Sequence, residues 1–180
     1  WGFVDYIVSG EGEIAVPMLL KAIERKARPD GEEAKFGVIP GLSYRDKDGV
    51  TRTNMPVPVS VEDIPSPYTD EMLGSLGTRI AYYESSRGCP FSCTYCLSSL
   101  SEHVVFFPMD RIKEELVRIA ATSVRQIKFV DRTFNCHKNR AAEIFRFLID
   151  TFVGEDGRPK LNFHFEAAAD LFDDELINIL

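Results

Sequence analysis

Three of the four cysteines in this chain lie within eight residues, and no other feature constrains the chain as strongly. They are Cys89, Cys93 and Cys96, in the spacing C-x₃-C-x₂-C, and the fourth, Cys136, lies forty residues downstream. Three thiols so close together cannot all pair with one another as disulfides. The loop suits a metal group that takes three protein sulfurs and keeps one position open, as a [4Fe–4S] cluster with three thiolate ligands does.

The residues around these cysteines extend the pattern. Tyr95 stands directly before the last cysteine, and the strings Y-E-S-S-R-G-C-P-F at 83–91 and Y-C-L-S-S at 95–99 flank the motif. This pattern resembles the radical S-adenosylmethionine (radical SAM) superfamily. It is most similar to the branch in which a cobalamin-binding domain precedes the radical SAM barrel, whose members are often labelled as magnesium-protoporphyrin IX monomethyl ester oxidative cyclases.

The resemblance implies a set of cofactors and a reaction. Cys89, Cys93 and Cys96 would hold three irons of a [4Fe–4S] cluster, and S-adenosylmethionine would bind the fourth. The parent protein would be an enzyme that cleaves S-adenosylmethionine reductively and starts radical chemistry on an unidentified small molecule. A flavodoxin- or ferredoxin-type donor would supply the electron. The cobalamin motif of the family, Asp-x-His-x-x-Gly, is absent from this sequence, so cobalamin is expected for the full-length parent only.

Composition excludes several classes of function. The net charge of −7 argues against a large nucleic-acid surface. No apolar run reaches the roughly 18 residues that a transmembrane helix needs, and no signal peptide opens the chain. Four cysteines without a secretory signal indicate metal or redox chemistry before disulfides. These observations predict a cytoplasmic protein without a membrane span.

The chain opens inside a strand-like pattern and stops inside a helix-like one, so we interpret it as a fragment of a longer protein. A strand at 4–8 and a helix at 13–26 resemble the end of a Rossmann-like domain of the cobalamin type. Asp48-Gly49 between two alternating runs predicts a β-hairpin, and four prolines follow it. The predicted divisions are a Rossmann-like tail (1–35), a hairpin and Pro-rich linker (36–78) and a barrel half (79–180).

The last hundred residues alternate between strand and helix patterns. Strands are predicted at 80–85, 126–130 and 161–167, and helices at 110–122, at 139–152 and after Asp173 or Asp174. The order β-α-β-α-β-α predicts an α/β fold with a parallel sheet. Three units cannot close a barrel, so the resemblance implies the first half of a (β/α)₆ partial barrel. Such a half leaves an open sheet edge, through which two copies could associate.

Candidate site residues follow the predicted strands, because sites in parallel α/β folds gather at the carboxyl ends of strands. The resemblance implies that Tyr95 packs near the adenine of S-adenosylmethionine; the alternative is a core aromatic of the loop. It also implies that Asp131 and Glu166 each contact this cofactor. For Asp131 the alternatives are an ion pair with Arg132 or a helix cap. Arg87 would contact the cluster or the cofactor carboxylate, or brace the loop through a salt bridge.

Other motifs leave alternatives open. A lone Cys136-His137 pair lacks the second pair that a zinc site needs, so Cys136 is interpreted as structural. His164 lies between two phenylalanines on a predicted strand and points away from their apolar face. The alternative function is a structural or electron-transfer iron–sulfur or zinc module without S-adenosylmethionine chemistry, with a fourth protein ligand such as Cys136.

Overall fold

The computed structural model describes residues 3–26, 35–100 and 103–180, with the backbone alone at 99 and 100. Its contacts divide the chain into two compact units, Trp1–Ile64 and Pro65–Leu180. None of the helices in these described ranges is long and apolar enough to cross a membrane.

The first unit is a small antiparallel sheet covered by one helix. Its three strands lie side by side in sequence order, and the first and third each pair antiparallel with the second. The helix lays Ala15 and Leu19 against Leu42, and the cluster of buried residues excludes water from this face. The elements are β1 (Tyr6–Val8), α1 (Gly12–Lys26), a 3₁₀ turn (Phe36–Val38), β2 (Leu42–Arg45) and β3 (Thr51–Thr53).

The predicted hairpin is confirmed, and the chemistry of its turn explains it. The carboxylate of Asp46 accepts hydrogen bonds from the backbone N–H of Asp48 and Val50 and from Nε of Arg52, at 2.8 to 3.0 Å. Gly49 takes a positive φ of 77°, which a residue without a Cβ adopts at little cost. One carboxylate therefore satisfies three donors of a tight turn.

The structure divides the chain differently from the predicted segments. The hairpin does not belong to a linker, because its strand β2 pairs with β1 and its residue Leu42 shares a core with α1. The boundary between compact units falls after Ile64, inside the proline-rich stretch. The sequence of α1 includes Pro17, which lies inside the helix beyond its first turn. The assignment of 1–35, part of which lies outside the described residues, to a cobalamin-type domain stays a prediction.

The second unit confirms the predicted β-α-β-α-β-α order. Its three-stranded sheet has the order β4-β7-β8 with parallel pairing, in which Ala81 lies beside Ile127 and Ile127 beside Phe163. The short pair β5 and β6 is an addition that the sequence did not predict. The elements are α2 (Asp70–Leu76), β4 (Ala81–Tyr83), β5 (Ser86–Arg87), β6 (Val105–Phe106), α3 (Met109–Ala120), β7 (Gln126–Phe129), α4 (Lys138–Phe152), β8 (Asn162–His164) and α5 (Asp174–Ile179).

The two faces of this sheet differ. Tyr83, Ile127 and Phe129 are at most 1% exposed, on the face that meets the helices. Four phenylalanine rings join this face to α4, with neighbouring ring centroids 4.4 to 5.3 Å apart; they are Phe129, Phe134, Phe145 and Phe165. On the other face Tyr82 lies beside Lys128, and Lys128 beside His164. His164 therefore points away from the apolar face, as predicted.

A buried carboxylate connects α3 to this sheet. Glu115 is 6% exposed, accepts a hydrogen bond from the hydroxyl of Tyr83 at 2.7 Å and pairs with Nε of Arg111 at 3.0 Å. Burial raises the pKa of Tyr83, and the hydrogen bond to Glu115 raises it further. The tyrosine therefore stays a proton donor, and both oxygens of the glutamate are satisfied.

Glu115→Ala should lower the free energy of unfolding by about 2 to 3 kcal/mol, because it removes the buried acceptor of the Tyr83 hydroxyl and the ion pair with Arg111. Urea unfolding measures the change. Glu114→Ala is the control, since Glu114 is the exposed neighbour on the same helix. Equal losses of stability in the two variants would contradict the role assigned to Glu115.

Candidate functional site

The cysteine loop leaves the sheet at the carboxyl end of its first strand. After β4 the chain passes through Glu84 and β5 and reaches Cys89. Cys89 and Cys96 are partly buried, Cys93 is exposed, and all of them are free thiols. The backbone N–H of Cys96 bonds to the carbonyl of Cys93 at 3.1 Å, which closes a turn.

The structure does not gather these three sulfurs into one metal-ligating group. Within the described ranges, no set of three His, Cys, Asp or Glu side chains has that arrangement. The residues nevertheless fit a cluster by their chemistry, since three soft thiol donors in one loop are the ligands that iron–sulfur clusters require. Ligation therefore requires the loop to bring the three sulfurs closer together.

Gly88 fixes the point at which the loop begins. Its φ is +101°, and a Cβ built on it would lie 2.2 Å from the carbonyl oxygen of His103. Only glycine fits such a close approach of two backbones. The pairing of β5 with β6 holds the same two segments together, with Arg87 opposite Val105. Gly88, which directly precedes Cys89, therefore lies in close contact with the backbone of His103.

Asp131 ties the ends of two neighbouring strands together. It follows β7 and is 1% exposed, and its carboxylate accepts hydrogen bonds from the backbone N–H of Ser85 at 3.1 Å, from the hydroxyl of Ser85 at 2.7 Å and from the hydroxyl of Ser86. Burial raises the pKa of this carboxyl, and the three hydrogen bonds oppose the increase. The carboxylate therefore braces the segment that leads into the cysteine loop.

A cavity of about 450 Å³ opens at the same end of the sheet. Gly88 and Ser98, on either side of the cysteine motif, contribute to its wall. Its charged lining residues come from the strand ends and from the loop entry; they are Glu84, Arg87, Lys128, Arg132 and Glu166. The carboxyl ends of three parallel strands thus border one polar cavity next to the cysteine loop, as the element order predicted.

A sequence profile described as "Radical SAM superfamily" matches residues 83–180, more than half of the chain. The chain belongs to the radical SAM superfamily. Membership implies a [4Fe–4S] cluster and S-adenosylmethionine as cofactors, and the three cysteines of the loop are the residues that fit the cluster.

The radical SAM relatives are mostly methyltransferases. "Uncharacterized methyltransferase PH0819" of Pyrococcus horikoshii is 33% identical over 78% of this chain and 31% of its own length. "Cobalamin-dependent radical SAM methyltransferase TokK" of Streptomyces tokunonensis is 30% identical over 88% of this chain and 24% of its own length. An anaerobic magnesium-protoporphyrin IX monomethyl ester cyclase of Cereibacter sphaeroides is 30% identical over 52% of this chain and 16% of its own length. The chain thus spans a third or less of these relatives.

A solved structure supports the fold. The cobalamin-dependent S-adenosylmethionine radical enzyme OxsB, with aqua-cobalamin and S-adenosylmethionine bound, superposes with a TM-score of 0.69 over 97% of this chain and 25% of its own chain, at 19% identity. The predicted α/β class and the partial radical SAM fold are confirmed, and so is the resemblance to the cobalamin-linked branch.

The structure brings some predicted radical SAM site residues together and separates others. Arg87 and Glu166 line the cavity. Arg87 also pairs with Glu84 at 2.7 Å, which is the predicted bracing salt bridge, and Glu166 lies 3.5 Å from Nζ of Lys128. Tyr95 is 91% exposed, so it is not a core aromatic in this structure. Its contact with adenine stays a prediction.

The geometry gives Asp131 a role that the sequence did not predict. Its carboxylate neither pairs with Arg132 nor caps a helix, because Ser85 and Ser86 occupy its oxygens. The side chain is buried and does not line the cavity, so this geometry does not support direct contact with S-adenosylmethionine. The sequence correctly predicted that Asp131 follows β7, but hydrogen bonds from Ser85 and Ser86 hold its side chain in the protein interior.

The Cys136-His137 pair forms no metal site in the described structure. His137 is the N-cap of α4, where its Nδ1 accepts a hydrogen bond from the N–H of Arg140 at 3.4 Å. Burial raises the pKa of Cys136, and the charges of Asp131 and Cys89 contribute to the increase. A partly buried thiol held as neutral agrees with the structural interpretation of Cys136.

The sequence did not predict a site role for two residues near the cysteine loop. Lys128 points from β7 into the cavity, where its alternation with buried Ile127 and Phe129 could have indicated it. Thr133 is 5% exposed, and its Oγ1 lies 3.7 Å from the Sγ of Cys89. No sequence signal distinguishes this threonine, since its contact depends on how two loops meet.

The free energy of unfolding of Asp131→Asn, minus that of the wild type, should be larger at pH 7 than at pH 4. The folded pKa of Asp131 lies above the unfolded value of about 3.9. The stability that its protonated form contributes is fully present below the unfolded pKa and is lost as the pH rises through the folded pKa. The asparagine has no such dependence. Urea unfolding of both proteins at the two pH values measures the difference.

Asp150→Asn controls for the loss of one negative charge, since Asp150 is exposed on α4. A stability difference between Asp131→Asn and the wild type that stays constant with pH would contradict the assignment. The assignment would also be contradicted if the stability difference between Asp150→Asn and the wild type changed with pH as much as that between Asp131→Asn and the wild type.

Proposed function

We propose that the parent protein is a radical SAM enzyme that methylates a small molecule with the help of cobalamin. This chain would supply the cluster loop and the first half of the barrel. The observation that carries the proposal is the placement of three free thiols in one loop, at the carboxyl end of a parallel strand and beside a polar cavity, in a member of this superfamily.

Each set of residues has a distinct role in this proposal. Cys89, Cys93 and Cys96 would hold three irons and leave the fourth open. When bound there, S-adenosylmethionine and the reduced cluster supply the chemistry by which the C5′–S bond breaks and radical chemistry begins. Arg87 and Glu166 would present opposite charges to the bound cofactor from the cavity wall. A carboxylate can accept hydrogen bonds from an ammonium, and a guanidinium can donate to a carboxylate.

Methyl transfer is preferred to cyclisation. The matched methyltransferases align over 78% and 88% of this chain, whereas the matched cyclase aligns over 52% of it. The substrate stays unidentified, because the cysteine loop is common to many reactions and function depends on the whole site. The electron would come from a flavodoxin- or ferredoxin-type protein.

Cobalamin is proposed for the parent alone. The described part of this chain has the antiparallel sheet of its first unit but no Asp-x-His-x-x-Gly string, and the complete sequence also lacks that string. A histidine within such a motif meets the lower face of the cofactor in the family that the sequence resembles. We therefore expect no cobalamin binding by these residues alone.

Anaerobic reconstitution with iron and sulfide should load a [4Fe–4S] cluster, and alanine at Cys89, Cys93 or Cys96 should abolish most of the bound iron. The reason is that each thiolate ligates one iron. Iron analysis and the electron paramagnetic resonance spectrum of the reduced protein measure loading. Adding S-adenosylmethionine should shift the spectrum, since the fourth iron is open.

Cys136→Ala is the matched control and should load as the wild type does. The alternative function, a fully ligated structural or electron-transfer site, would be favoured by two results together. Cys136→Ala would lose the cluster, and S-adenosylmethionine would leave the spectrum of the loaded wild type unchanged. A wild-type protein that binds zinc and no cluster would contradict the proposal outright.

The chain by itself should not turn over S-adenosylmethionine to 5′-deoxyadenosine. A half barrel leaves one side of the cavity open to water, whereas radical chemistry requires a site that excludes it. Chromatography of a reaction with reduced, loaded protein measures the product. The sample without reductant gives the background. Product formation that depends on both reductant and Cys93 would contradict this expectation.

A further inference from the structure

The hydroxyl of Thr133 faces the sulfur of the first cysteine of the motif. The distance from Oγ1 to the Sγ of Cys89 is 3.7 Å, which is within hydrogen-bond range for the larger sulfur atom. Thr133 is 5% exposed, so water does not compete for its hydroxyl. Its position beside Cys89 is therefore a buried polar contact rather than a surface approach.

The backbone around Thr133 is held from both neighbouring strands. On one side, the N–H of Val130 bonds to the carbonyl of Tyr83 at 2.8 Å, and the Asp131 carboxylate is tied to Ser85. On the other side, the N–H of Phe134 bonds to the carbonyl of Glu166 at 2.8 Å. These bonds fix the direction in which the threonine side chain leaves the backbone.

The carbonyl of Thr133 is also occupied. It accepts a hydrogen bond from the N–H of Cys136 at 3.1 Å, which closes the short turn that precedes α4. Both peptide neighbours of Thr133 are thus restrained, and the hydroxyl has a defined partner in Cys89. In this structure the hydroxyl therefore already lies within reach of the Cys89 sulfur.

Ligation settles which atom donates. A free thiol and a hydroxyl can each donate to the other, but a sulfur that ligates iron has lost its proton. The hydroxyl of Thr133 must then be the donor. A hydrogen bond to a ligand sulfur withdraws negative charge from the cluster, so it favours the reduced state and raises the reduction potential.

We propose that Thr133 is a positioning residue whose hydroxyl donates to the Cys89 sulfur and sets the reduction potential of the bound cluster. This inference rests on the proposed function, since it requires the cluster. It concerns the ease with which the cluster takes up its electron, and it is independent of the substrate and of cobalamin.

The test is a redox titration of the reconstituted protein, followed by electron paramagnetic resonance. Thr133→Val removes the hydroxyl at nearly constant volume, and its midpoint potential should be more negative than that of the wild type. Thr133→Ser keeps a hydroxyl and should stay close to the wild type. Thr78→Val, the same change at an exposed threonine outside the cysteine loop, should leave the potential unchanged.

An unchanged potential in Thr133→Val would overturn the inference, and so would a serine variant that shifts as far as the valine variant. If Thr133→Val does not load, Thr133→Ala takes its place with the same expectation. If neither Thr133→Val nor Thr133→Ala binds a cluster but Thr133→Ser does, the result would support the inference, because the hydroxyl would then be needed to hold Cys89 in its ligating position. Failure of the serine variant as well would overturn it and leave a packing role.

Cluster loading and the redox titration together also distinguish this inference from the proposed function. A wild-type protein without a cluster would contradict both. A wild-type protein that loads, responds to S-adenosylmethionine and keeps its potential after Thr133→Val would contradict only the role of Thr133.

Discussion

The buried carboxylate of Asp131 is the constraint on which the site depends. Removing an ionised carboxylate from water costs several kcal/mol unless hydrogen bonds replace its hydration. Three donors from Ser85 and Ser86 provide that replacement at the junction of β4 and β7. Because these serines directly precede Arg87 and Gly88, the same bonds fix where the cysteine loop leaves the sheet. The loop that carries the exposed Cys93 thus begins from a hydrogen-bonded strand end.

Most of the fold follows from patterns that the sequence carries locally. The helix α3 was predictable because Ile112, Leu116 and Ile119 recur at helical spacing and are fully buried. The parallel order followed from alternation of strands and helices, and the cysteine loop from its spacing. Strand β8 is shorter than predicted, since only Asn162–His164 pair with β7. Periodicity identifies an element, whereas pairing partners determine where it ends.

The site was less predictable, because its contacts join residues far apart in the sequence. The strand ends correctly located Asp131 and Glu166, yet one is buried behind the strand and the other lines the cavity. No periodicity separates these cases, since the difference depends on serines 45 residues or more away. Glu115 presents the same difficulty: a glutamate on an amphipathic helix is expected at the surface, and the hydroxyl of Tyr83 together with Nε of Arg111 makes its burial favourable.

The polar face of the sheet explains why this unit is a barrel wall rather than a layer between two sets of helices. A parallel sheet covered on both faces is apolar on both. Here Tyr82 is 58% exposed, and its neighbours in register are Lys128 and His164. Covering that row with a second helical layer would bury a lysine whose described partner, Glu166, is itself half exposed. The desolvation cost excludes such a layer, so this face is suited to line a polar cavity.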